Sequence, residues 1–84
     1  MENAFKPDAQ SIRKGIAFVE NQLRALRESG DLLIALRVCA HGAKRAMYTR
    51  GITALALARH DREEKLKEYD AMLARTLAET NAQG

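Results

Sequence analysis

Apolar side chains recur along the first third of the chain at Phe5, Ala9, Ile12, Ile16, Val19, Leu23 and Leu26, with steps of 4, 3, 4, 3, 4 and 3. That alternation is the a/d seam of a helix with a heptad pattern. Pro7 suits the first turn, Asp8 suits the positive end, and Gly30 after Ser29 supplies a left-handed stop, so the pattern predicts a helix over about 8–28. Gly15 lies inside it and costs ~1 kcal/mol relative to alanine. With Ala9 and Ala17, it also thins the helix surface for a neighbour's close approach.

Ser29-Gly30-Asp31 reads as a tight connection, with Asp31 as the N-cap of a second helix over about 31–49, and Gly51 after Arg50 fits either its C-cap or an unbroken helix running through it. Within it Leu32, Leu36, Cys39, Ala43 and Ala46 repeat at 4, 3, 4 and 3, and a second row, Ala35, Cys39, Gly42 and Ala46, is made of small residues. Such a row lowers the distance between helices, which predicts close packing inside the bundle or against a second copy. A third helix is expected over about 53–80, because Ala54 to Ala58 alternate two strong helix formers and Leu66, Tyr69, Leu73 and Leu77 form an apolar stripe. Residues 59–65 lack any apolar side chain. The helix is therefore solvated there on every face or breaks near 60–61, where Asp61 and Glu64 have the capping-box spacing. Positions 1–7 and 81–84 read as flexible ends, and the expected fold is all-α, a single-domain three-helix bundle.

Composition changes this picture in one respect. Of 84 residues 46% are hydrophobic, but 15 are alanine, which leaves few large apolar side chains for a core. Chains of this size bury only about 60% of their unfolded surface, and small helical chains often complete their core by association. The seam Ile12, Ile16, Val19, Leu23 and Leu26 therefore serves the intramolecular bundle, a homo-oligomer interface, or both. At least some intermolecular burial is expected.

Candidate chemistry is sparse. The single cysteine, Cys39, excludes an intramolecular disulfide and a multi-cysteine metal site; on the small-residue row it reads as a buried structural thiol. His60, Glu63 and Glu64 share one helical face, but a carboxylate-bridged two-metal bundle needs such a group twice. Cys39 and His41 diverge on a helix, and Gly30, Gly42 and Gly51 match no phosphate-binding fingerprint. No catalytic, cofactor-binding or metal-ligating residue is assigned, and a non-enzymatic role is expected. No stretch approaches the ~20 apolar residues of a membrane span, so a soluble, cytoplasmic protein is expected.

The net charge is +3, and its distribution matters more than its size. Residues 31–60 carry five Lys/Arg against Asp31 alone. On the expected second helix Arg37, His41, Lys44, Arg45 and Tyr48 fall on one stripe, with Arg50 and Arg59 beyond it. Such a stripe contacts phosphates in a salt-sensitive way, or pairs with Glu63, Glu64, Glu68 and Asp70 of the last helix, or is solvated. The solvated or paired reading weighs more at this modest net charge.

The stretch Val19-Glu20-Asn21-Gln22-Leu23-Arg24-Ala25-Leu26, followed by Glu28-Ser29-Gly30-Asp31, resembles the first helix and turn of the CsoR/FrmR-type metal- or formaldehyde-responsive repressors. The resemblance covers about residues 16–31 and implies a small all-helical oligomer that binds DNA. Asn21 stands where that family has glycine, and the family's cysteine position falls near Leu33 to Ala35, where no side chain can ligate metal. No sensing residue is carried over. Two functions are thus expected, in order: a helical binding protein that serves as adaptor, chaperone, inhibitor or regulatory partner of another protein, and a DNA- or RNA-binding regulator.

Overall fold

The computed structural model describes residues 8–83, so Phe5, Pro7 and the ends 1–7 and 84 lie outside the described residues. The chain is an antiparallel hairpin of two long helices, α1 (Ala9–Val38) and α2 (Gly42–Gln83). This corrects the expected three-helix bundle. Ser29-Gly30-Asp31 is not a connection, because α1 runs through it, and α2 runs unbroken through Gly51 and through 60–61 to Gln83.

The heptad seam explains why α1 continues. Beyond Leu26 the 4, 3, 4, 3 steps fall on Gly30, Leu33, Arg37 and Ala40, all of which are half-buried or buried. Breaking the helix at Gly30 would forfeit the packing of that second half, whereas a helical glycine costs only ~1 kcal/mol. Gly30 accordingly has no positive φ; the described glycine that does is Gly42, at +60°. The reversal is built there. Cys39 caps α1, its N–H donating to the Leu36 carbonyl at 3.3 Å, while the Ala40 N–H donates to the Arg37 carbonyl at 3.1 Å. At the other end Asp8 is the N-cap, accepting from the Ser11 N–H at 2.8 Å. That hydrogen bond holds the Asp8 carboxyl below its ordinary pKa.

Tyr48, Ile52, Leu55, Arg62, Leu66, Tyr69, Leu73 and Thr76 form the facing seam of α2, all half-buried. Two glycines set how closely the helices approach. A Cβ on Gly15 would sit 3.4 Å from the Tyr69 ring, and one on Gly51 would sit 3.0 Å from the Leu33 Cδ1. Those contacts level Gly15 with Tyr69 and Leu33 with Gly51, a single antiparallel register along the hairpin. With that register Ala9 is level with Arg75, so the last two turns of α2 run past the start of α1. The polar run 59–65 stays helical because Arg62 and Glu63 are half-buried against α1 while the rest face solvent. Lys67 pairs with Glu64 at 3.0 Å and Lys65 with Glu68 at 3.8 Å across the next turn. Both are exposed i, i+3 pairs of the kind that contribute only tenths of a kcal/mol.

The hairpin is 62 Å long with a Cα radius of gyration of 18.8 Å, against about 12 Å for a compact chain of this length. Its accessible surface, 6424 Å², exceeds the roughly 5000 Å² of a compact 9.4 kDa monomer. Two helices can shield only one stripe of each other. Among the described residues the buried core is Ile12, Val19 and Leu23, each 3% exposed, and Ala40.

Candidate functional site

Ile12, Val19 and Leu23 of the expected self-association seam are buried against α2, and Ile16 and Leu26 are half-buried with them. This seam is consumed inside the hairpin. The expected close-packing row is split by the reversal: Ala35 is on α1, Cys39 is its cap, Gly42 opens α2 and Ala46 lies one turn further. All four are exposed. Cys39 is an exposed free thiol, which corrects the buried one expected from its small neighbours. Leu32 and Leu36, read as seam residues of a second helix, also face solvent, because the true seam of α1 passes through Leu33 and Ala40 instead.

The basic residues are no longer one helical stripe. Arg37 is half-buried near the end of α1, His41 lies in the reversal, Lys44, Arg45 and Arg50 are exposed on α2, and Tyr48 is half-buried in the α2 seam. Folding back at 39–41 nonetheless gathers them at the closed end of the hairpin. For Lys44, Arg45 and Arg50, pairing with Glu63, Glu64, Glu68 and Asp70 is geometrically excluded: Arg50 is 13 residues from Glu63 on one straight helix, about 20 Å. Among the described residues none of these cations makes an ion pair, and of the acidic side chains Glu64 and Glu68 pair locally with Lys67 and Lys65. The Lys67 hydrogen bond also holds the Glu64 carboxyl below its ordinary range.

The same end carries a feature that the sequence reading missed. Leu32, Ile34, Leu36, Val38 and Met47 are all exposed, Val38 by 71%. They flank the reversal on both sides of the hairpin: at about 100° per residue Leu32 and Leu36 lie on one flank of α1 and Ile34 and Val38 on the other, so the tip carries exposed large apolar side chains on two faces beside cations that make no ion pair among the described residues. The signal was present, since Ile34 and Val38 fall between the seam positions Leu33, Arg37 and Ala40; it became legible only with the reversal placed at 39–41. Phe18 at 63% and Leu57 at 65% add isolated apolar surface along the shaft.

Concave surface among the described residues includes shallow grooves between the helices. One of about 150 Å³ lies beside Gly30 and is lined by Leu26, Ile34, Ile52, Leu55 and Arg59. On the opposite flank a groove of about 300 Å³ is lined by Gln22, Ala25, Ser29, Ala58 and Arg62. Neither holds a nucleophile with a base. Among the described residues no three His, Cys, Asp or Glu side chains converge on a metal-sized site, His60, Glu63 and Glu64 included. No described helix is long and apolar enough to cross a membrane. Comparison of the chain with protein-family models, curated proteins and solved structures finds no match.

Proposed function

We propose that the protein is a non-enzymatic helical binding protein, an adaptor, chaperone, inhibitor or regulatory partner of another protein, that acts as a homo-oligomer and engages its partner with the closed end of the hairpin. The observation that supports this reading is the concentration of exposed large apolar side chains at this end, Leu32 and Leu36 on one flank of α1, Ile34 and Val38 on the other, and Met47 on α2. Exposed apolar surface of this kind, rimmed by polar groups, marks interaction sites in soluble proteins. Unpaired Lys44, Arg45 and Arg50 beside it would select an acidic rim on the partner. The test is affinity purification of the full-length chain from its native host, run beside a Val38→Asp, Met47→Asp variant. A stoichiometric partner retained by the wild type and lost by the variant supports the reading; identical capture by both, or none by either, refutes it.

The second reading, a DNA- or RNA-binding regulator, draws on a different observation: residues 31–60 carry five Lys/Arg against Asp31, and the closed-end cations among them are unpaired. Each cation that meets a phosphate releases a counterion, so binding must weaken steeply with salt. Anisotropy of a labelled duplex across a salt series separates the readings. An affinity that is absent, or unchanged from low to physiological salt, removes nucleic acid.

A further inference from the structure

The hairpin consumes its best heptad seam, yet α1 carries a second heptad row on the outside. Ser11, Phe18, Ala25, Leu32 and Cys39 are spaced by seven, and all five are exposed. The row is nearly palindromic about Ala25: a large apolar residue stands one heptad away on each side, and a small residue two heptads away. Gln22 and Ser29, one turn to either side of Ala25, open into the groove shared with Ala58 and Arg62. The helix surface is therefore thinnest at the centre of the row and apolar on both sides of it.

We propose that this row is the docking surface for a second copy of the chain, with the two α1 helices antiparallel about a two-fold axis at Ala25. The inference deepens the homo-oligomer part of the proposed function and rests on it. In this arrangement Phe18 of each copy packs on Leu32 of the other, Ala25 meets its own mate, and Cys39 comes level with Ser11 of the other copy. An isologous contact demands such self-complementarity.

Charge selects the antiparallel sense. The closed half of the hairpin, residues 25–60, carries six Lys/Arg against Glu28 and Asp31, whereas the open half, residues 8–24 and 61–83, carries seven Lys/Arg against eight Asp/Glu. Antiparallel packing sets the basic closed end of one copy beside the slightly acidic open end of the other; parallel packing would set two basic ends together. The row alone is a small interface. From Ser11 to Cys39 is about 42 Å of helix, and at a helix diameter of about 11 Å the footprint is about 460 Å² on each copy. Both copies then bury about 900 Å² along the row, just under the ~1,000 Å² that a specific interface needs, so the groove beside Gln22 and Ser29 has to take part.

The lone thiol makes the proposal testable with the full-length chain. Light scattering after size exclusion at micromolar concentration is expected to give twice the 9.4 kDa monomer mass. Ala25→Glu, which sets two carboxylates together on the axis, is expected to halve that mass with an unchanged helical circular dichroism spectrum. On oxidation the wild type is expected to stay uncrosslinked, because the two Cys39 thiols lie at opposite ends. Ser11→Cys is expected to form a covalent dimer through Cys39 of the other copy, a bond unavailable within one α1 helix. A monomeric wild type, a dimer unaffected by Ala25→Glu, an oxidised wild-type dimer or an uncrosslinked Ser11→Cys variant would each overturn the proposal. None of these results bears on capture by Val38 and Met47, so failure here and failure of the closed-end reading are distinguishable.

Discussion

Substituting Gly30 by alanine tests the architecture at the point where two folds demand opposite signs. In the hairpin Gly30 is helical, without positive φ, and a Cβ built on it meets nothing within 4 Å. The substitution therefore gains the helix-propensity difference without a steric cost, about 0.8–1.0 kcal/mol. For a domain of this size a change of about 1 kcal/mol moves Tm by about 4–8 °C. In a three-helix bundle Gly30 would be a left-handed stop, and alanine there would cost about 1 kcal/mol or more. Urea and thermal unfolding followed by circular dichroism at one fixed protein concentration read the sign, the fixed concentration removing any contribution from association. A variant less stable than the wild type would refute the continuous α1.

Gly42→Ala is expected to move stability the other way, by about 1–2 kcal/mol, because a φ of +60° is strained for any residue with a Cβ; the same unfolding experiment checks it. Leu23→Asp should abolish cooperative unfolding, since it removes one of the buried seam residues and leaves a charge against α2; Leu57→Asp, on the exposed back of α2, serves as the control and should fold normally. Asp8 gives a pH dependence. Its folded pKa lies below the ordinary 3.8, so its stabilising effect is fully present above the unfolded value and is lost as pH falls through the folded one. The difference in urea midpoint between wild type and Asp8→Asn should thus be constant near neutral pH and shrink as pH falls below about 4; a difference that does not shrink on acidification would show that the carboxylate charge is not responsible.

Helical class was legible in the chain, because alanine and leucine dominate and the heptad phase of α1 shows in Ile12, Val19 and Leu23 before any coordinates. The same three side chains are the large residues of the buried core. The number of helices was not legible. Gly30 and Gly51 carry the local signal of a helix stop and Gly42 that of a packing residue inside a helix, yet Gly30 and Gly51 are mid-helix and Gly42 makes the reversal. Local preference differs among them by about 1 kcal/mol, too little to decide, whereas packing of Leu33 and Ala40 into the facing seam is worth more. That long-range term exists only once α2 is in place. The candidate site follows the same logic: composition alone revealed the basic middle third, but whether its cations are paired, and whether Leu32, Ile34, Leu36, Val38 and Met47 are covered, depends on where the chain turns. The tertiary structure puts that turn at 39–41, which keeps Lys44, Arg45 and Arg50 away from the acidic half of α2 and leaves those apolar side chains in solvent on both flanks of α1.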